Sequence, residues 1–351
     1  MSDKIKVGIS IGDFNGIGLE IIIKTLADTR MLNFCTPIVY GNTKVASYYR
    51  KNAGIQDFSF NVIQNIEQAN PKRANMINCW EEEVKINPGQ FTQEGGHYAL
   101  LSLKAATRDL IEGKIDVLVT APINKKNIQS STFSFPGHTE YIQAMTGDPG
   151  VLMLMVSESL KIGVATGHIP LSEVAKSLSK ALLLEKLHLL NQSLKNDFWI
   201  RKPKIAVLGL NPHAGDEGLI GDEENTIIKP AIEEANKSDI FTFGPYPADG
   251  FFAGDQYLGF DGVLAMYHDQ GLIPFKHIAG ENGVNFTAGL SVIRTSPDHG
   301  TAYDIAGKNL ASPQSFREAL FTAITLFKNR KEQKVLLSNP LKTKRLAKDR
   351  D

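Results

Sequence analysis

The feature that most constrains the fold of this chain is a regular alternation of short apolar runs with helical patterns. The runs are rich in β-branched residues and nearly free of polar positions, which is typical of strands in a sheet covered on both faces. Strands that alternate with helices form mostly parallel sheets, so the sequence predicts an α/β protein. The predicted strands lie at 5–12, 36–41, 115–122, 151–156, 161–167, 204–210, 239–244, 261–267 and 284–295.

The predicted helices occupy the segments between these runs. The helix over 97–113 ends at Gly113, as is common at helix C-termini. A long helix is predicted through 177–195, with Ser172 as a candidate N-cap residue. The other predicted helices lie at 19–30, 43–52, 226–238 and 315–329.

The chain has 351 residues, more than a single hydrophobic core usually holds, so we expect two domains. We place the first α/β domain at 1–130 together with 305–351, and the second at 131–304. Residues 330–351 are highly charged and are predicted to form a solvated or partly helical C-terminal tail.

Composition excludes several classes of partner. The chain has 38 basic and 38 acidic residues, so its formal net charge of zero creates no overall field that attracts nucleic acid. No apolar run is long enough to cross a bilayer, and the N-terminus lacks a signal-peptide pattern. Cys35 and Cys79 form neither a disulfide framework nor a metal motif. We therefore expect a cytoplasmic protein with no membrane and no nucleic-acid partner.

Three of the predicted strands are followed by a histidine: His168, His213 and His268. Ligands of open α/β sheets bind outside the carboxyl ends of the strands, so these imidazoles can converge there. Three neutral imidazoles suit a first-row divalent ion such as zinc, cobalt or manganese. A histidine after a strand is also common as a turn residue, and spacing this wide is no metal motif by itself. Both interpretations stay open at this point.

Further polar residues follow other strands. Lys276 and Arg294 are donors suited to phosphate or carboxylate, Arg294 through its planar fork, although surface charge is the usual role of such residues. The other polar residues near strand ends are Asn124, Lys125, His138, Thr139 and Asn285.

Two loops are candidates for ligand contact. Gly12, Gly16 and Gly18 form a tight strand-to-helix turn, but their spacing does not match a dinucleotide fingerprint and no Walker lysine follows. We expect Asp13 in this turn to face the site. The second loop, at 296–308, has little hydrophobic periodicity and is either a surface excursion or a ligand clamp.

The sequence resembles the 4-hydroxythreonine-4-phosphate dehydrogenase family of pyridoxal phosphate biosynthesis. The resemblance covers about residues 5–329 and rests on GDFNGIGLE, VTAPINK, FPGHTEY, ATGHIPL, NPHAGDEGLIGDEE, YHDQGLIPFK and VNFTAGLSVIRTSPDHGTAYDIAGK. It implies a fold like that of isocitrate and isopropylmalate dehydrogenases, with two α/β/α domains of mostly parallel sheets. It also implies a homodimer with the active site in the interdomain cleft at the dimer interface.

The resemblance implies oxidation of 4-phosphooxy-L-threonine at its secondary alcohol by NAD or NADP, followed by decarboxylation to 3-amino-2-oxopropyl phosphate. One divalent ion (zinc, cobalt, magnesium or manganese) would be bound by His168, His213 and His268. The implied substrate contacts are His138, Thr139, Lys276, Asn285 and Arg294, and the implied cofactor contacts are His299, Gly300 and Asp304. Lys276 is the candidate acid or base, while Asp249 and Asp269 are candidates to orient the metal-binding imidazoles.

Some positions differ from the family pattern. Phe14 and Leu19 stand where prolines are usual, Gly250 replaces a usual threonine, and Ser312 stands where isopropylmalate relatives carry asparagine. The nearest alternative function is the same oxidative decarboxylation of another four-carbon phosphorylated hydroxy acid, such as erythronate phosphate. Alternatives from other classes are a phosphate acetyltransferase-like acyltransferase and a metal-dependent hydrolase.

Overall fold

The computed structural model describes residues 4–131 and 133–338. In this part of the chain, twelve strands form one continuous sheet in the order β3-β4-β2-β1-β5-β12-β11-β6-β7-β10-β8-β9. Their bounds are β1 Lys6–Ser10, β2 Thr36–Gly41, β3 Asn61–Ile63, β4 Asn75–Asn78, β5 Val117–Thr120, β6 Leu152–Val156, β7 Lys161–Thr166, β8 Lys204–Leu208, β9 Phe241–Tyr246, β10 Gly262–Tyr267, β11 Val284–Ala288 and β12 Arg294–Pro297.

The sheet is mostly parallel, which confirms the predicted α/β class. Strand β11 pairs antiparallel with both β12 and β6, and β6 pairs antiparallel with β7. All other neighbours are parallel, so β7, β10, β8 and β9 run opposite to the six strands at the other end of the sheet. The predicted run 284–295 is therefore two strands, because a turn containing Gly289 at φ 92° reverses the chain between β11 and β12.

Ten helices of the described residues accompany the sheet. Their bounds are α1 Gly18–Leu26, α2 Thr43–Asn52, α3 Gln93–Ile111, α4 His138–Thr146, α5 Leu171–Ser177, α6 Lys180–Asn196, α7 Lys229–Lys237, α8 Ala248–Ala253, α9 His268–Ala279 and α10 Gln314–Ser338. No helix among these residues is long and apolar enough to cross a membrane.

Helices cover both faces of the sheet. Along β10, Leu264 and Met266 pack in one apolar cluster with α6 and α7, while Val263 and Ala265 pack in another with α8 and α9. Neighbouring residues of a strand point to opposite faces, so each face needs its own apolar cover. This arrangement explains why the strand runs are continuously apolar in the sequence.

Two helix predictions are wrong in detail. The predicted helix through 177–195 with its cap at Ser172 is two helices, α5 and α6. The side chain of Ser179, not Ser172, caps α6 by accepting a hydrogen bond from the backbone N–H of Leu182 at 3.2 Å. The sequence also gave no indication of α4 or α9, which begin at His138 and His268.

The predicted closing helix at 315–329 extends further along the chain as α10. Arg330, assigned to the charged tail, donates through Nε to the buried carboxylate of Asp197 at 2.5 Å. This part of the predicted tail is therefore an integral part of a packed helix, and residues 339–351 lie outside the described residues. The domain boundaries at 130 and 304 remain a prediction.

Candidate active site

A cleft of about 630 Å³ lies between the end of β7, the start of α9, the start of α4 and strands β11 and β12. Polar and ionisable side chains from these distant segments meet along its wall. The cleft brings together these predicted site residues: His138, Thr139, His168, His268, Lys276, Asn285, Arg294, His299 and Gly300. The predicted site residues His213, Asp249, Asp269 and Asp304 are not among those that line it.

Arg294 is the only arginine that lines the cleft within the described residues, and it is almost fully buried. The hydroxyl oxygen of Thr120 accepts from its Nε at 3.0 Å and from its Nη2 at 2.7 Å, and Thr287 Oγ1 lies 3.4 Å from Nη1. Burial lowers the pKa of Arg294 to about 10. No carboxylate of the described residues forms an ion pair with it. A buried guanidinium held only by neutral groups is suited to bind an anion.

His138 extends this anion site. Its Nδ1 lies 3.2 Å from Nη2 of Arg294, and since a guanidinium can only donate, Nδ1 accepts and the proton is on Nε2. Burial, together with the charges of Arg294 and Lys125, holds the pKa of His138 well below its usual value. The neutral ring therefore presents an Nε2–H donor.

Three buried polar atoms of the cleft have no hydrogen-bond partner among the described residues: His138 Nε2, Asn285 Oδ1 and His299 Nε2. Buried polar groups are rarely left without a partner, because each lost hydrogen bond costs roughly 1–3 kcal/mol. Their concentration in one cleft indicates that a polar ligand completes these bonds.

Two imidazoles approach each other at the other end of the cleft. The ring centroids of His168 and His268 are 5.6 Å apart. Nζ of Lys125 lies 3.0 Å from His168 Nε2, and the Asp269 carboxylate lies 2.6 Å from His268 Nδ1. Burial, Lys125 and His268 lower the pKa of His168, which keeps its ring neutral. Because Asp269 accepts from Nδ1, the Nε2 lone pair of His268 is directed away from it and available to a cation.

Two neutral imidazoles fit the predicted metal ion in kind, although an ion at His168 Nε2 would have to displace Lys125, and one chain does not complete the ligand set. His213 is exposed on a turn after β8 and does not line the cleft. No three His, Cys, Asp or Glu side chains of the described residues are close enough to hold an ion. The three-histidine site within a single chain is therefore not formed, and its completion across a dimer stays a prediction.

The two candidate carboxylates differ in their positions. Asp269 contacts His268, as an orienting residue would, although its role is still a prediction. Asp249 is exposed at the start of α8 and contacts none of the cleft histidines in the described hydrogen bonds. Asp269 thus contacts a cleft histidine without lining the cleft itself. The next residue, Gln270, links β10 to the end of β8, because it accepts from the N–H of Met266 and donates to the carbonyl of Gly209 at 2.6 Å.

Lys276 lies on α9 and reaches across to the loop after β12. Its Nζ donates to the backbone carbonyl of Asp298 at 2.9 Å and lies 3.2 Å from Asp298 Oδ1. Burial raises the pKa of Asp298, against the lowering effect of Lys276. The pair is a lysine and a carboxylate in the same cleft, which is an arrangement suited to proton transfer.

The loop predicted to bind the cofactor is anchored by a buried network. The hydroxyl of Tyr303 donates to Asp13 Oδ2 at 2.7 Å, and Asn127 Nδ2 donates to the same oxygen at 2.6 Å. Asp13 is fully buried, so it fixes the loop and does not face the cleft as expected. Of the predicted cofactor contacts, His299 and Gly300 line the cleft, while Asp304 is exposed beyond it.

Sequence reasoning missed Thr120, Thr287 and Asp298. The two threonines end or interrupt apolar strand runs, where threonine is an ordinary β-sheet residue. Asp298 lies in the loop 296–308, which the sequence already marked as a candidate for ligand contact, and its position there was the only signal for it.

Comparison with known proteins defines the protein class. The sequence profile described as "Pyridoxal phosphate biosynthetic protein PdxA" matches residues 33–323. A 4-hydroxythreonine-4-phosphate dehydrogenase from Bacteroides thetaiotaomicron is 51% identical over 341 residues, which cover 97% of this chain and 93% of the relative. A crystal structure of the dehydrogenase of the same name from Klebsiella pneumoniae has a TM-score of 0.79 and 33% identity, covering 93% of this chain and 98% of its own.

A third relative, from Oceanobacillus iheyensis, carries the provisional name D-threonate 4-phosphate dehydrogenase. It is 39% identical over 330 residues, which cover 93% of this chain and 99% of the relative. Together with the cleft, these similarities define an α/β oxidoreductase of the NAD(P)-dependent dehydrogenase class. The chain belongs to the PdxA family. The predicted family resemblance and the dehydrogenase class are confirmed, in preference to an acyltransferase or a hydrolase.

Proposed function

We propose that this chain oxidises 4-phosphooxy-L-threonine at its secondary alcohol with NAD or NADP and decarboxylates the product to 3-amino-2-oxopropyl phosphate, in pyridoxal phosphate biosynthesis. The observation that carries the proposal is the buried guanidinium of Arg294, which no carboxylate of the described residues contacts in an ion pair, in a cleft with two neighbouring imidazoles. A phosphorylated hydroxy acid supplies an anion for the guanidinium of Arg294 and an alcohol oxygen for an ion bound by the imidazoles.

The substrate anion is bound by the end of the cleft that carries positive charge and hydrogen-bond donors. Arg294 supplies its positive charge and the one N–H of Nη1 that Thr120, Thr287 and His138 leave free, and His138 supplies Nε2–H. Thr139, whose Oγ1 lies 3.3 Å from Thr287 Oγ1, adds a hydroxyl donor. The unpartnered Oδ1 of Asn285 is an acceptor, so it suits the hydroxyl or amine of the substrate and not its anionic groups. Such fixed donors hold the reacting carbon in one place and thereby lower the entropic part of the barrier.

Proton transfer falls to Lys276 and Asp298. The hydroxyl proton passes to the carboxylate of Asp298 as the carbon is oxidised, because the ammonium of Lys276 can only donate; Lys276 is the acid that can supply a proton in the second step. In the second step, carbon dioxide leaves and its bond electrons move to the neighbouring carbon, which then takes up a proton. When bound, the nicotinamide accepts the hydride and the divalent ion polarises the alcohol oxygen.

The proposed ion ligands are His168 and His268 of one chain and His213 of a second copy. The chemistry of the donors supports this set: the ring of His168 is kept neutral, and His268 is oriented by Asp269. Zinc, cobalt, magnesium and manganese are the candidate ions, of which imidazole donors favour zinc and cobalt.

The homodimer is supported by exposed apolar side chains near the cleft. Leu171 follows His168 in the chain and is 72% exposed, and Ile273 on α9 is 67% exposed. Leu219, 81% exposed, follows the turn that carries His213. Exposed apolar side chains on the segments that carry the three histidines are suited to contact between subunits, and a twofold dimer would bring the turn of one copy to the cleft of the other.

The cofactor is proposed to bind along the loop from His299 to Asp304. His299 and Gly300 line the cleft, and the network of Tyr303 and Asp13 fixes the loop behind them. Asp304 is exposed, where its carboxylate can accept hydrogen bonds from ribose hydroxyls. We also propose a cytoplasmic location, in keeping with a metabolic role.

The proposed function is tested with purified protein, 4-phosphooxy-L-threonine and NAD, with NADH absorbance as the readout. We expect NADH to form with added zinc or cobalt and to fall to background after chelation. NADP in place of NAD defines the cofactor preference. Metal-independent activity, or NADH formation that does not need the phosphorylated substrate, would overturn the proposal.

A second substrate is favoured by one observation. The relative named as a D-threonate 4-phosphate dehydrogenase has nearly the same coverage of this chain as the 4-hydroxythreonine-4-phosphate dehydrogenases. D-threonate 4-phosphate and erythronate 4-phosphate carry a hydroxyl where 4-phosphooxy-L-threonine carries its amine. A substrate panel ranked by kcat/KM separates these possibilities, and we expect the amino substrate to rank first.

A further inference from the structure

The turn that follows β8 has an unusual backbone. Residues 213–217, comprising His213, Ala214, Gly215, Asp216 and Glu217, all have positive φ angles, from 44° to 80°. L-residues rarely adopt this conformation, and a run of them persists only when surrounding contacts hold it. We call residues 213–217 the left-handed turn.

The carboxylate of Glu224 holds the start of this turn. Its Oε1 accepts from the backbone N–H groups of Leu210 and Asn211, both at 2.7 Å, and its Oε2 accepts from the side chain of Asn211 at 2.9 Å. Glu224 is 1% exposed, and no Lys or Arg of the described residues forms an ion pair with it. A buried carboxylate without a cation is stabilised here by the N–H groups that it fixes.

Two glycines let the chain close around this carboxylate. A Cβ on Gly215 would lie 2.6 Å from Glu224 Oε2, and one on Gly209 would lie 3.2 Å from Oε1. Asn211 connects Glu224 to the left-handed turn, because the backbone carbonyl of Asn211 accepts from the N–H of Ala214 at 3.1 Å. A chain of contacts thus runs from Glu224 through Asn211 to the residue next to His213.

We propose that Glu224 is a positioning residue that holds the left-handed turn in the conformation that presents His213 to a second copy of the chain. The inference rests on the proposed function, in which His213 binds the divalent ion. A glutamine at 224 keeps the size of the side chain but replaces one acceptor oxygen by an NH2 donor. The one remaining oxygen can replace only one of the two carboxylate oxygens, so either the two backbone N–H groups or the Asn211 side chain loses its acceptor and faces a donor instead.

The test compares Glu224→Gln with Glu223→Gln by titration calorimetry with cobalt alone. Glu223 is the matched control, because its carboxylate also accepts from the side chain of Asn211, at 2.8 Å, but from no backbone N–H of the turn. We expect Glu224→Gln to bind cobalt about tenfold or more weakly, and Glu223→Gln to bind nearly as the wild type does. Thermal unfolding of both apoproteins shows whether each variant is folded at the titration temperature, so that the cobalt affinity reports the position of His213.

The wild type and His213→Ala serve as references, so that failure of the proposed function can be distinguished from failure of the inference about Glu224. If the wild type binds no cobalt, or His213→Ala binds it as well as the wild type, the proposed function fails. If His213→Ala loses cobalt but Glu224→Gln keeps wild-type affinity, the present inference is overturned. If Glu224→Gln does not fold, Gly215→Ala is used in its place, because the added Cβ atom would displace the Glu224 carboxylate. Wild-type cobalt affinity in Gly215→Ala would refute the inference in the same way.

Discussion

At the scale of single residues, Arg294 and its neighbours form the proposed anion site of the cleft. The guanidinium is buried among hydroxyls and an imidazole, and none of these groups neutralises its charge. The sequence marked Arg294 as a candidate because a charged side chain is unusual within a strand-like run, and His138 because it lies in a Pro-Gly turn; their roles as substrate contacts were implied by the family resemblance and remain predictions. Thr120 could not be predicted, since 174 residues separate it from its partner and nothing local marks it as an acceptor.

Replacing Arg294 by lysine tests this anion site. We expect Arg294→Lys to lower kcat/KM by about tenfold or more, mainly through a higher KM, because an ammonium cannot form the forked contacts of a guanidinium. Steady-state kinetics with the phosphorylated substrate gives the result. Arg330→Lys is the control, because Arg330 pairs with Asp197 outside the cleft. An unchanged KM in Arg294→Lys would show that the anion binds elsewhere.

Thr120 offers a finer test of the same site. Thr120→Val removes the single oxygen that accepts from both Nε and Nη2 of Arg294, and we expect KM to rise about fivefold, as for a loss of about 1 kcal/mol of hydrogen bonding. Thr120→Ser keeps the oxygen and should remain near the wild type. Equal KM values for the valine and serine variants would indicate that the hydroxyl does not orient Arg294.

At the scale of secondary-structure elements, strands were predicted more reliably than helix boundaries. Continuous apolar runs identify strands of a doubly covered sheet, whereas a helix end depends on which side chain can reach a backbone N–H. The start of α9 at His268 was missed because Gly271 and Pro274 interrupt its helical pattern. The segment 284–295 was predicted as one strand because only Gly289 marks its reversal.

The N-cap of α6 can be tested directly, because the sequence predicted Ser172 and the structure shows Ser179. We expect Ser179→Ala to lower the free energy of unfolding by about 1 kcal/mol, because it removes the acceptor for the N–H of Leu182. Ser172, the cap predicted from the sequence, lies within α5, so Ser172→Ala should change the free energy of unfolding by less than about 0.5 kcal/mol. Urea denaturation measures both. If Ser172→Ala lowered the free energy of unfolding more than Ser179→Ala does, Ser172 would be the capping residue, as the sequence predicted.

At the scale of the whole molecule, burial of imidazoles links stability to pH. Burial lowers the pKa of His138, His168 and His299 below the usual 6.5. The unfolded chain therefore binds more protons than the folded protein once the pH falls below that value. The stability contributed by these neutral rings is complete above about pH 6.5 and decreases as the pH falls toward the folded pKa values.

Replacing His138 by glutamine should flatten this dependence. Each proton taken up only on unfolding contributes a slope of about 1.4 kcal/mol per pH unit. We expect His138→Gln to reduce the slope between pH 6.5 and 5.5 by up to about that amount, measured by urea denaturation of the chelator-treated protein. His188→Gln changes an exposed histidine of α6 and serves as the control. An unaltered slope in His138→Gln would mean that His138 is not buried in its neutral form.

The central claim is that two copies of the chain share each metal site, with His168 and His213 supplied by different copies. The most direct measurement is the activity of a purified heterodimer that combines a His168→Ala subunit with a His213→Ala subunit, each inactive as a homodimer. In this heterodimer one site carries both changes and the other carries neither, so the account predicts about half of the wild-type activity per dimer. A heterodimer as inactive as its parents would contradict the account, because it would mean that each site takes both histidines from one chain.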